Sequence, residues 1–87
     1  MFNARTLKER GGEMHFTNED YQRGLGGDDI RTCTIEDKTN DKSLPNWARS
    51  YRIWFNGKLI GSYKTFAYLK INFVKLAKEW HLEEEEK

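Results

Sequence analysis

A chain of 87 residues that is 37% apolar, 14% aromatic and 33% charged, with a formal charge of +1, has room for one small folded domain. Its aromatic content excludes a wholly disordered chain. No apolar run approaches the ~18 residues of a membrane span, and the opening MFNARTLKERGGEM lacks the apolar centre of a secretory signal. No membrane partner is therefore expected, and a cytoplasmic location is. The single Cys33 cannot close an internal disulfide, which fits a reducing compartment.

The near-neutral total conceals unlike halves. From Trp47 to Leu82 there are seven basic residues (Arg49, Arg52, Lys58, Lys64, Lys70, Lys75, Lys78) against one acid, Glu79. From Met14 to Asn46 there are four basic residues against seven acids, and the tail from Glu83 is acidic again. A basic half can be an electrostatic surface for nucleic acid, or its lysines can simply solvate the outer side of a helix.

Residues 1–13 are polar, lack apolar periodicity and close on Glu9-Arg10-Gly11-Gly12-Glu13. Purine-rich codons can encode the run from Lys8 to Glu13, and a purine-rich ribosome-binding sequence precedes bacterial start codons. Met14 thus reads as a candidate natural start, with 1–13 as a disordered leader; the alternative is an ordinary flexible tail. The domain itself is expected to span 14–87. Thr17 reads as a helix cap, with Asp20 three residues on and Phe16 and Tyr21 placed to form a hydrophobic staple. Gly24, Gly26 and Gly27 stop that helix. The Gly-Leu-Gly-Gly run has no following Lys-Ser/Thr, so it is not a phosphate loop.

Ile30 to Glu36 is rich in β-branched residues and predicts a first strand, an edge strand because neither side is purely apolar. Cys33 there has no ligand or base at useful spacing and reads as a small buried filler. Residues 37–46 predict a polar loop marked by Pro45. Its acids Glu36, Asp37 and Asp41 lack the glycine and bidentate glutamate of a calcium loop.

The stretch Tyr51 to Trp80 carries most of the apolar bulk. Asn56-Gly57 between alternating runs is a strong signal for a two-residue hairpin turn. An unbroken ladder from that turn pairs Phe55 with Lys58, Trp54 with Leu59, Ile53 with Ile60, Arg52 with Gly61 and Tyr51 with Ser62. One face then holds Tyr51, Ile53, Phe55 and Ile60; the other holds Arg52, Trp54, Leu59 and Tyr63. Thr65 caps a helix from Phe66 to about Leu82, whose stripe Phe66, Leu69, Phe73, Leu76, Ala77 and Trp80 should pack on the first face. A narrower stripe holds Ala67, Ile71, Val74 and Leu82. The acidic end, 83–87, sits at the negative pole of the helix and is expected to fray. The fold class is α+β: a three-stranded antiparallel sheet, one long C-terminal helix on one face and a short N-terminal helix, in the order α-β-β-β-α.

His15 and His81 have no companion ligands, and no nucleophile–base set, carboxylate pair or cofactor loop stands out. No catalytic, metal or cofactor residue is expected, and the protein reads as non-enzymatic. The candidate binding residues are Arg52, Trp54 and Tyr63 on the sheet face away from the long helix, with Lys58 and Lys64 at its rim. Exposed aromatics flanked by cations suit nucleic acid, through stacking and phosphate neutralisation. The alternative is that Trp47 and the loop, or the first helix, cover this face and make it core.

The element order resembles a double-stranded-RNA-binding domain, and Tyr51 to Lys58 is similar to that domain's second strand and turn. Where such domains carry a basic cluster at the start of the second helix, this chain reads Thr65-Phe66-Ala67-Tyr68. The three strands plus helix also resemble small sheet-reading DNA-binding domains of the AP2 and integrase-arm type, which implies Arg52 and Trp54 against DNA. DNA is therefore the expected nucleic acid rather than duplex RNA. The competing expectation is a small protein-interaction or inhibitor module of bacteriophage or mobile-element type, since interfaces also favour Trp, Tyr and Arg.

Overall fold

The computed structural model describes residues 2–85. It is α+β with an antiparallel sheet and a C-terminal helix, but the sheet has five strands rather than three, ordered β4-β3-β2-β1-β5. The elements are α1 (Ala4–Glu9), β1 (Glu13–Thr17), α2 (Glu19–Leu25), β2 (Thr32–Asp37), a 3-10 turn (Asn46–Ala48), β3 (Tyr51–Phe55), β4 (Lys58–Tyr63), α3 (Phe66–Trp80) and β5 (Glu83–Glu84).

Of the two additional strands, β1 occupies the expected start of the domain, where Thr17 was read as a helix cap, and β5 lies in the tail that was expected to fray. Asn3 caps α1, its side chain accepting from the Thr6 amide at 2.8 Å. Gly11 and Gly12, with φ of 77° and 83°, then turn the chain back, a conformation that glycine adopts without steric cost. The Gly12 amide donates to the Leu7 carbonyl and its own carbonyl receives the Asp37 amide at 2.7 Å, which starts the β1–β2 ladder. Leu7 is buried in the core. Phe2 sits among Phe16, Phe66 and Phe73, with ring centroids 4.8–6.1 Å apart. The segment expected to be a disordered leader is thus held by two apolar side chains, too few and too widely spaced to show as periodicity.

β1 alternates: Met14 and Phe16 are buried between Glu13, His15 and Thr17. Phe16 packs on Phe73 at 4.5 Å rather than stapling α2, and Tyr21 stacks on His81 instead. The Thr17 hydroxyl does receive the Glu19 amide, but from the end of the strand. Buried Asn18 closes the β1–α2–β2 connection, its amide group donating to the Asp29 carbonyl and its oxygen accepting from the Arg31 amide. β2 begins at Thr32, not Ile30, and lies in the middle of the sheet rather than at an edge.

The Asn56-Gly57 turn is as expected, with φ of 51° and 78°. Phe55 pairs with Lys58 and Trp54 with Leu59, but a bulge follows, so Ile53 faces Gly61, Arg52 faces Ser62 and Tyr51 faces Tyr63. One extra residue on one strand reverses the facing of every residue beyond it. Tyr63 consequently turns to the helix side and packs against the core.

α3 starts at Thr65, whose hydroxyl accepts the Tyr68 amide, and ends at His81 with φ 54°. The stripe Phe66, Leu69, Phe73, Leu76, Ala77 and Trp80 lies on the core with Met14, Cys33, Ile35 and Ile53. Of the second stripe, Leu82 is buried, while Ala67 and Ile71 are exposed. Because Leu82 is anchored, the chain beyond it is led along β1: Glu83 pairs with Thr17, Glu84 with Phe16, and the Glu85 amide donates to the His15 carbonyl. Arg10 binds the Glu84 carboxylate through two nitrogens. Backbone pairing and this ion pair oppose the unfavourable helix pole, so 83–85 are ordered; the rest of the expected frayed tail lies outside the described residues. No helix is long and apolar enough to cross a membrane among the described residues.

Candidate functional site

Both packing helices lie on one side of the sheet. Leu7 from α1 and the α3 stripe share a single core with the buried residues of β1, β2 and β3. The other side is left to the alternate residues, and the register arranges them in rows. One row runs His15, Thr34, Trp54, Leu59; a second runs Glu13, Glu36, Arg52, Ser62; a third places Thr32 and Glu83 on either side of Thr17. Trp54 stands at the centre, half-buried by its neighbours, with its indole N–H donated to the Glu36 carboxylate. Leu59 beside it is 46% exposed. His15 is tied to Thr34 through Nδ1 at 3.2 Å.

One end of this face is closed by the segment 46–49. Lys64 points its ammonium at the carbonyls of Asn46, Trp47 and Arg49, at 3.5, 3.0 and 3.0 Å. Those contacts occupy the three donors that a lysine has. Arg52 donates to the Ala48 carbonyl. Arg49 donates to the Asp41 and Leu44 carbonyls and the Asn46 side chain. Asp41 accepts from the amide and hydroxyl of Ser43, which hold its carboxyl below the usual range. The polar loop is therefore wired in place, and it carries Trp47 at 81% exposure.

Of the five residues expected to form the site, the structure keeps Arg52 and Trp54 on the open face. Lys64 sits at its end but is committed to the loop. Lys58 is an exposed residue of the turn, paired with Phe55 and so on the opposite side. Tyr63 has left for the core because of the bulge. In place of these, the face includes Leu59, Thr34, His15 and Glu36, and the segment that carries exposed Trp47 lies at its end. The alternation Glu13-Met14-His15-Phe16-Thr17 was the available signal for β1; reading Thr17 as a cap and Met14 as a start divided it.

Of the two readings of the basic half, the arrangement follows the second, with exposed lysines along the long helix. Glu13, Glu36, Glu83 and Glu85 belong to the open side, against Arg52, Lys64 and Lys38, the last paired with Glu36 at 3.8 Å, while His15 Nε2 lies 3.7 Å from Glu13. The acidic fringe continues into a shallow cleft of about 420 Å³ lined by Thr17, Glu19, Asp20, Glu83, Glu84 and Glu85. The exposed lysines Lys58, Lys70, Lys75 and Lys78 belong to the start of β4 and to α3. Among the described residues no three His, Cys, Asp or Glu side chains converge as metal ligands. Cys33 is buried on the core side and its thiol is pushed up to about 12 by that burial. It behaves as packing rather than as a nucleophile, which needs the thiolate. Comparisons with family models, curated proteins and solved structures find no match to this chain.

Proposed function

We propose that this chain is a small non-enzymatic binding module whose open sheet face, centred on Trp54 and Leu59 and bounded by Trp47, docks a protein partner carrying basic residues. The observation that supports this reading is the setting of Trp54. Among the described residues it lies on a sheet face without a helix over it, beside exposed Leu59, with the Glu36 carboxylate on its β2 side and Glu13 and Glu83 on the strands beyond. Tryptophan anchors carry much of the energy of protein interfaces. Trp54 is already held by the bond from its indole N–H to Glu36, so it loses little side-chain freedom on binding.

Duplex DNA brings about one negative charge per 1.7 Å of axis. It would meet Glu13, Glu36, Glu83 and Glu85 here, while Lys64 has its donors occupied. The nucleic-acid reading, with DNA ahead of duplex RNA, would have to draw its cations from Lys58, Lys70, Lys75 and Lys78, away from Trp54. A low-salt gel-shift series against duplex DNA, duplex RNA and single strands separates the two. Expected is no complex that depends on the sheet face. A complex lost in both Arg52→Ala and Trp54→Ala, with the fold intact, would restore nucleic acid as its ligand.

A further inference from the structure

We infer that the basic partner of the Trp54 face is a second copy of this chain, which lays the outer face of its α3 across the open sheet. This rests on the reading of that face as a protein-docking surface and names its occupant. The fold leaves one side of α3 unused. Ile71 is 54% exposed and Tyr68 64%, and Ala67, Lys75 and Lys78 are exposed with them. At 3.6 residues per turn these lie within about 60° of Ile71. Glu79 is about 80° round from Ile71, on the wall of the groove beside Ile53 and Ile60. Lys70 is about 100° round on the opposite flank.

The open face has the complementary order. The row Leu59, Trp54, Thr34, His15 crosses β4, β3, β2 and β1. Glu85 follows beyond it, with its amide on the His15 carbonyl. Apolar bulk therefore stands at the β4–β3 end, and Glu13, Glu83 and Glu85 stand at the β1–β5 end. The outer face of α3 runs the same way, with Tyr68 and Ile71 first and Lys75 and Lys78 after them. Lys75, Lys78, Glu83 and Glu85 make no ion pair among the described residues.

The spacings agree. From Ile71 to Lys78 the helix rises about 10 Å. From β3 to β1 is two strand spacings, also about 10 Å. With Ile71 over Trp54, Tyr68 comes over Leu59 and Lys78 over β1, towards Glu13 and Glu85. Turned end for end, the helix would carry Lys75 and Lys78 past the β4 edge, away from these carboxylates. The two faces point in opposite directions, because α3 packs by its other side on the core side of the sheet. A copy cannot return the contact it receives, so association is head to tail and closes as a ring or grows as a chain.

The test is sedimentation velocity of the full chain at rising concentration. Expected is reversible association at low ionic strength that weakens in about 0.5 M salt, which screens exposed charge pairs. Lys75→Gln with Lys78→Gln should weaken it about three- to tenfold, the effect of a few exposed charge contacts. Trp54→Ala should weaken it about thirtyfold, as for an interface hot spot. Ile71→Asp should abolish it, and circular dichroism should show both single variants folded. Trp54→Ala keeps the helix face and Ile71→Asp keeps the sheet face. Mixed, at a concentration where each alone is monomeric, they should form a one-to-one pair that grows no further. A wild-type chain that is monomeric at about 1 mM, association unchanged by either variant, or variants that fail to complement each other would overturn the inference. A monomeric chain leaves the Trp54 face open to another protein; that reading falls only if photo-crosslinking from position 59 captures nucleic acid or no protein.

Discussion

Tyr51 and Tyr63 face each other across β3 and β4, although an unbroken ladder from the Asn56-Gly57 turn would put Ser62 opposite Tyr51. The difference is the bulge, and Gly61 leaves the space that the Tyr63 ring then fills. A Cβ at Gly61 would lie 2.7 Å from Cε2 and Cζ of the Tyr63 ring, closer than real side chains approach. Gly61→Ala should therefore destabilise the protein by about 1–3 kcal/mol, the usual cost of overpacking. In a Tyr63→Ala background the same change should cost clearly less, because residues in contact are not additive. Urea unfolding of the four proteins of this cycle measures the coupling.

The N-terminal segment should be required for stability. Leu7 is 1% exposed, so Leu7→Ala is expected to cost about 2–5 kcal/mol, and Phe2→Ala should add to it. A chain beginning at Met14 would lose both side chains and the Gly12 carbonyl that receives the Asp37 amide. Thermal unfolding of that shortened chain should give a much lower midpoint or no cooperative transition. A midpoint equal to that of the full chain would return residues 1–13 to the status of a dispensable leader.

The two aromatic residues Phe73 and Trp54 should separate in their effects. Phe73 is 4% exposed and touches Phe2 and Phe16, so Phe73→Ala should cost roughly 3–5 kcal/mol. Trp54 packs only on its own sheet face, and Trp54→Ala should cost about 1 kcal/mol, the scale of strand propensity differences. Denaturant titration checks both. A Trp54→Ala chain as unstable as Phe73→Ala would make Trp54 a core residue.

Alkaline stability carries a signature of Cys33. Its folded pKa is raised to about 12 by burial, and that of Tyr51 is raised by burial and by the nearby Asp37 carboxylate. A group with a raised folded pKa contributes stability that is full below its unfolded value and is lost as pH rises through the folded one. For the thiol the loss runs from about pH 9 towards 12. The melting midpoint should fall over this range, and it should fall less steeply in Cys33→Ala, the remaining slope including Tyr51.

The parts of the fold that were legible in sequence are those set by local chemistry. Asn56-Gly57 demanded positive φ, Thr65 offered a cap, and the stripe from Phe66 to Trp80 had helical period; all three are where they were expected. What was not legible depends on contacts distant in sequence. β5 is a two-residue strand of glutamates, held because Leu82 is anchored and Arg10 reaches Glu84. Nothing local in Glu83-Glu84 favours a strand. The bulge likewise has only Gly61 as a local mark, yet it decides that Tyr63 belongs with Ile53 and Leu76 rather than with Trp54. The open face was half legible: Arg52 and Trp54 follow from the turn, but the acidic rows from β1 and β5 could be placed beside them only once those strands existed.

The most direct measurement is photo-crosslinking from the open face in the protein's native cells, with a photoreactive residue at Leu59 and a control at exposed Lys70 on α3. The expected result is a protein adduct formed from position 59, absent from position 70 and lost on Trp54→Ala. Adducts with nucleic acid from position 59, or the same protein adducts from both positions, would contradict the assignment of the Trp54 face as a protein-docking surface.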